Sequence, residues 1–211
     1  MNPRVFVRSL ILLVITFIGI VAFWYYSAMK HARSSDDGFI DLDLDNPYAQ
    51  LYIPSFTLED RNGEVFDQTF LDGRFTVVDF FYTSCPLICP AMTATMRDIQ
   101  DATADTELQL LSISIDPSVD KPEVMNSYAN GFRANPERWK FGRGSEEMTQ
   151  ILLMGVGFEL DDLELRDGFR FIDHPGSLLL VGPDRHVIKL YRYSDPDEVQ
   201  ELIEKARELA G

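Results

Sequence analysis

The chain has 211 residues, with 19 Lys and Arg against 34 Asp and Glu, a formal charge of −15. That length fits one globular domain of the usual ~100–200 residues plus an appendage. A composition of 45% hydrophobic and 25% charged residues excludes a disordered chain and a polytopic membrane protein. An acidic chain repels phosphate backbones, which excludes nucleic acid as a partner. The two cysteines are too few for a disulfide-rich scaffold or a four-thiolate zinc site.

Charge divides the chain. Residues 1–33 carry Arg4, Arg8, Lys30 and Arg33 and no acid, so the remainder holds 15 basic and 34 acidic side chains, a net of −19. Between Arg8 and Lys30 run 21 uncharged residues, Ser9 to Met29. At 1.5 Å per residue a helix over about 9–29 spans a hydrocarbon layer of ~30 Å. Trp24, Tyr25 and Tyr26 stand at one end, where an aromatic belt belongs. Ser27-Ala28-Met29 is a poor cleavage site, so the run reads as an uncleaved anchor rather than a signal peptide. The free amino terminus lies on the short side and the acids from Asp36 to Asp45 follow the other end. Both favour a cytoplasmic N-terminus with the rest of the chain exported, and so short a leader suggests a bacterial origin. Residues 34–50 read as an acidic solvated tether, and 51–211 as the globular domain.

Within that domain, Ile53–Leu58 and Val65–Phe66 flank Asp60-Arg61-Asn62-Gly63, a hairpin signal. Phe75–Tyr82 is an apolar run interrupted by Asp79 and reads as a central strand. Pro90–Ala104 reads as a helix, Leu108–Ile115 as a strand, and Lys121–Phe132 as a helix with Asp120 as a candidate cap. A short strand over Arg138–Phe141 and a helix over Ser145–Met154 follow. Ser177–Val181 and His186–Tyr193 then form strands around Gly182-Pro183-Asp184-Arg185, and Asp195–Ala210 closes as a helix. Strands separated by helices imply parallel pairs, and the last hairpin adds an antiparallel one. The expected fold is α/β, a mixed thioredoxin-like sheet with helices on both faces.

The chemistry centres on Tyr82-Thr83-Ser84-Cys85-Pro86-Leu87-Ile88-Cys89-Pro90, between a strand and a helix. Ligand sites in open α/β sheets lie outside the carboxyl ends of strands. A helix N-terminus there predicts stabilised thiolates with lowered pKa. If both cysteines are helical, their spacing puts the Cβ atoms ~5–6 Å apart. A disulfide needs ~3.5–4.5 Å. Three readings stay open: a soft thiolate pair suited to Cu(I), a redox pair, or buried structural cysteines. His31 flanks the apolar run, and His186 reads as a surface strand residue. His174 precedes an apolar strand in Asp173-His174-Pro175. If it joins the sulfurs, the set matches a trigonal copper(II)–thiolate site, with Asp173 able to orient the ring. Met92 and Met96 stand at helical spacing and read as core filler.

Taken together, Tyr82-Thr-Ser-Cys-Pro-x-x-Cys-Pro90, Ser114-Ile-Asp-Pro-Ser-Val-Asp-Lys-Pro122, Asp173-His174 and Gly182-Pro183-Asp184 resemble the Sco/SenC family over roughly 51–205. The resemblance implies a thioredoxin fold on a membrane anchor, in the periplasm or intermembrane space, and with the short leader this becomes the expectation of a bacterial inner membrane with the domain in the periplasm. It implies copper bound by Cys85, Cys89 and His174. The implied role is assembly of the dinuclear copper centre of cytochrome c oxidase. The implied partners are the oxidase's copper-binding subunit, other copper carriers and thiol reductants. Some members of the family instead reduce that centre's cysteines, which implies a redox-active Cys85–Cys89 disulfide. Asp116 and Asp120 match a motif for which capping and loop-fixing are sufficient physical reasons. The sequence departs from the family pattern at Leu87, where an acid is usual, at Phe81, where glycine is common, and at Pro175. Thioredoxins place a cis-proline opposite their cysteines, which makes His174–Pro175 a candidate cis bond. A peroxidase reading is weaker, because Thr83 stands two residues before Cys85 rather than three.

Overall fold

A computed structural model of the chain describes residues 47–86, 88–158 and 176–211, with the backbone alone of 164–166 and 169–171. All of these belong to the unit Leu44–Gly211. The expected anchor, most of the tether, Leu87, Asp173, His174 and Pro175 lie outside the described residues. Among the described residues no helix is long and apolar enough to cross a membrane.

The strands are β1 (Thr57–Asp60), β2 (Val65–Asp67), β3 (Thr76–Phe81), β4 (Gln109–Ser114), β5 (Trp139–Arg143), β6 (Glu164–Arg166), β7 (Phe169–Phe171), β8 (Ser177–Val181) and β9 (Val187–Arg192). The α-helices are α1 (Ile88–Ala102), α2 (Pro122–Gly131), α3 (Glu146–Gly155) and α4 (Pro196–Ala210). Seven strands form one sheet in the order β2-β1-β5-β4-β3-β8-β9, and β6 pairs with β7 separately. The β3–β4 and β4–β5 pairs are parallel, whereas β3–β8 and β8–β9 are antiparallel. This is the expected mixed sheet. The β6–β7 pair was not foreseen.

Local chemistry sets the boundaries. The first strand begins at Thr57 rather than Ile53 because the segment before it is used elsewhere. The Ile53 amide donates to the Arg185 carbonyl, and Tyr52 bridges His186 ahead of β9. At the hairpin the Asp60 carboxylate accepts from the Asn62 and Glu64 amides at 2.8 and 3.1 Å, and Gly63 takes φ +81°. Ser145 caps α3 by accepting from the Met148 amide, and Asp195 caps α4 by accepting from the Asp197 and Glu198 amides. Asp120 does not cap α2. Lys121 holds that place without a side-chain bond, because the Asp120 carboxylate is engaged elsewhere.

Strands β3 and β4 are buried along their whole length, so both faces of the sheet are covered. Successive side chains alternate faces, which puts Val77, Asp79 and Phe81 of β3 together. Phe81 stacks on Tyr128 of α2 at 5.4 Å and meets Phe141 edge-on at 5.3 Å. Tyr128 shares a 2.9 Å hydrogen bond with Thr93 of α1, so α1 and α2 both lie on this face. Met92 and Met96 are fully buried, as core residues are.

Candidate metal centre

Phe81 and Ser114 are register partners at the carboxyl ends of parallel neighbours β3 and β4. The connections that leave those ends, toward α1 and α2, therefore start side by side, where the sheet rule places a site. The first of them carries both cysteines.

The Cys85 amide donates to the Tyr82 carbonyl at 3.2 Å, closing a turn over Tyr82–Cys85. Helix α1 starts at Ile88, two residues before the expected Pro90, and Pro90 is tolerated in its first turn. Cys89 is therefore inside the helix while Cys85 stands ahead of it. The pair is not i, i+4 within one helix. Instead the Cys89 amide donates to the Cys85 sulfur at 3.4 Å, so that sulfur serves an amide of the helix's first turn. Both cysteines are free thiols.

Access is asymmetric. Cys85 keeps 7% of its surface and Cys89 none. The expected lowering of both pKa values fails at Cys89. Its hydrogen bond to Cys85 and then its burial push the thiol up, the Cys85 and Asp79 charges add to this, and the Tyr82 amide opposes them. The buried Cys89 thus holds its proton more tightly than an ordinary thiol, while Cys85 is the less buried of the two. Burial also pushes the Tyr128 phenol up.

Two buried acids frame the pair. Asp79 accepts from the Ser112 hydroxyl at 2.5 Å, and that oxygen accepts from the Trp139 indole at 2.9 Å. Asp120 accepts from the Thr83 hydroxyl at 2.5 Å, the Thr83 amide at 3.2 Å and the Ser114 hydroxyl at 2.6 Å. Asp116 accepts from the Ser118 hydroxyl at 2.8 Å. A cavity of about 620 Å³ beside Thr83 is lined by Glu123, Val124, Tyr128 and Phe132.

The structure brings Cys85 and Cys89 together. His174, the third expected ligand, lies outside the described residues with Asp173, Pro175 and the candidate cis bond between His174 and Pro175. Among the described residues no group of three His, Cys, Asp or Glu is arranged to hold a metal. His186 precedes β9, half-buried, with its ring 5.9 Å from Tyr52. Sequence reading left Thr83 without a role in the site and read Asp120 as a helix cap or loop-fixing residue. The only local signal was a polar residue just ahead of the cysteine.

Two sulfurs linked through one amide, one in a fully buried residue and the other in one that keeps a little surface, suit a soft metal ion or thiol exchange. The SCO1/SenC family model matches residues 45–211. A SCO1 protein homolog of Bacillus subtilis is 30% identical over 143 residues, covering 66% of this chain and 72% of that protein. The structure of BsSco, a member of the Sco family of cytochrome c oxidase assembly proteins with a disulfide switch, aligns with TM-score 0.61 at 26% identity, covering 76% of this chain and 95% of that one. Arabidopsis thaliana ScoI, solved with copper bound, aligns with TM-score 0.64 at 21% identity over 74% of this chain and 96% of that one.

Proposed function

The chain belongs to the SCO1/SenC family, and from that premise we propose that it carries copper for the assembly of cytochrome c oxidase. The observation that carries this reading is the Cys85–Cys89 pair at the carboxyl end of β3, joined by the bond from the Cys89 amide to the Cys85 sulfur. Related proteins add support: one has been solved with copper bound, and another is described as an oxidase assembly protein. In this reading Cys85 and Cys89 supply two soft donors and His174 the third. Strand β8 supports the third ligand. It runs antiparallel to β3 with Val78 opposite Leu179, so Ser177 begins it near the cysteine end of the sheet, and His174 precedes Ser177 in the chain. Bound copper is cargo, destined for the dinuclear centre on the oxidase's copper-binding subunit. Cys85, the less buried of the two cysteines, is where the ion enters and leaves.

The uncharged run Ser9–Met29 supports a single-pass anchor in a bacterial inner membrane, with the domain from residue 51 in the periplasm and 34–50 as its tether. The net charge of −19 over residues 34–211, tether and domain together, from 15 basic and 34 acidic side chains, suits partners that present a cationic face.

A second reading is favoured by the difference in access between the two thiols. A thiol–disulfide reductase uses an outer and an inner sulfur in sequence. The Cys85 thiolate attacks a partner disulfide and releases one partner thiolate. The Cys89 thiolate then attacks the Cys85 sulfur, releasing the second and leaving a Cys85–Cys89 disulfide. Two electrons and two protons pass to the partner.

Anaerobic copper titration of the reduced full chain in detergent separates the two. The carrier reading expects one copper per chain, lost in Cys85→Ser and Cys89→Ser and weakened in His174→Ala. Equal affinity in His174→Ala removes His174 from the ligand set. Absence of copper binding in the wild type, with turnover of a partner disulfide that survives His174→Ala, replaces the carrier with the reductase.

A further inference from the structure

Asp120 is fully buried, yet among the described residues no cation is hydrogen-bonded or ion-paired to it. Burying a carboxylate is costly unless it is well bonded. Its hydrogen-bond partners among the described residues are all donors: the Thr83 amide and hydroxyl from one connection, and the Ser114 hydroxyl at the end of β4. A carboxylate accepts at both oxygens, whereas a carboxamide would turn an NH₂ toward one of these donors. Its backbone is held as well, since the Asp120 amide donates to the Asp116 carbonyl at 2.9 Å. The segment it grips is the turn that presents the outer thiol. Thr83 is the first central residue of the Tyr82–Cys85 turn, and 37 residues of chain separate it from Asp120.

We propose that Asp120 is a positioning residue for Cys85, clamping the Thr83 amide and hydroxyl so that the turn holds the Cys85 sulfur against the Cys89 amide. The clamp acts on the dithiol itself, whether that pair carries copper or exchanges disulfides. A stable fold alone does not call for a buried acid at this point. Burial outweighs the Ser114 and Thr83 bonds and the Asp116 charge adds to it, so the carboxyl is harder to ionise than usual.

The test uses glutathione disulfide on the reduced, metal-free full chain in detergent. The Cys85 thiolate displaces one glutathione thiolate to give a mixed disulfide. The Cys89 thiolate then displaces the second, so the dithiol is oxidised and one glutathione disulfide becomes two thiols. The closing step depends on how well the turn holds the two sulfurs, and misplacement slows it roughly ten-fold or more. Wild type and Thr83→Ser are expected to close without a detectable mixed disulfide, and Asp120→Asn and Thr83→Val to accumulate Cys85–glutathione by mass. The double variant is expected to close no more slowly than either single one, because both remove one contact. If the variants melt earlier but partition as wild type does, Asp120 is merely structural and the inference is wrong. A wild type that itself stalls at the mixed disulfide overturns it too. Should Asp120→Asn fail to fold, the Thr83 pair alone decides. Copper binding plays no part in this measurement, so the carrier reading and the clamp fail separately.

Discussion

Asp79 is a buried carboxylate in the middle of β3, and its charge reaches Cys89 and Tyr128, opposing ionisation of both. It is held from below by the relay in which the Trp139 indole donates to the Ser112 oxygen and the Ser112 hydroxyl donates to Asp79. Asp79→Asn keeps the shape and an acceptor for Ser112 while removing the charge. The Cys89 thiol then ionises at lower pH, although its bond to Cys85 and its burial, the larger causes, remain. The measurement is the ultraviolet thiolate titration of the reduced chain, read as the second step of a coupled pair. That step is expected to move down in Asp79→Asn. An unmoved or raised step would mean the charge does not act on the sulfurs.

Phe81 ends β3, at a position where the resemblance to the family leads one to expect glycine. Its ring is buried, stacked on Tyr128 and edge-on to Phe141, so it ties β3 to α2 and β5. Phe81→Ala is expected to cost roughly 3–5 kcal/mol in urea unfolding, the usual range for a buried phenylalanine. A variant as stable as wild type would mean that Tyr128 and Phe141 close the gap. Much of this architecture was legible in the residues. The runs around Val77-Val78 and Leu110-Leu111 have the composition of central strands, and Ser145 and Asp195 announce the starts of α3 and α4. Asp120 misled because it precedes Pro122 as a cap would, while its real partners are Thr83 and Ser114, one of them 37 residues away. No local pattern encodes such a contact. The first turn of α1 was read late because the sulfur that serves its amide belongs to Cys85, outside the helix. Strands β6 and β7 have three residues each, Glu-Leu-Arg and Phe-Arg-Phe, and their alternation around Asp167-Gly168 is a hairpin signal that was passed over because the runs are so short.

Across the whole molecule, buried acids give stability opposite dependences on pH. At Asp60 burial pushes the carboxyl up, but the Asn62 amide, the Lys140 ammonium at 3.1 Å and the Glu64 amide together hold it below its ordinary value. A carboxyl that binds its proton less readily when folded stabilises the fold above its unfolded value, and that contribution is lost as pH falls through the folded one. At Asp120 burial wins, the folded value is raised, and the ionised form costs stability that is relieved as pH falls through it. The two effects therefore occupy separate windows, Asp120 above the ordinary carboxyl value of ~4 and Asp60 below it. Thermal melts of wild type, Asp60→Asn and Asp120→Asn across a pH series resolve them. Asp60→Asn is expected to melt below wild type by a constant interval from neutral pH down to ~4, with the interval closing only under more acid conditions. Wild type is expected to gain on Asp120→Asn already in the upper window, as its own carboxyl takes up a proton and the charge leaves the interior. An Asp60 interval that closes at the same pH as the Asp120 effect would show that one shared event, rather than two independent carboxyls, governs the acid limb.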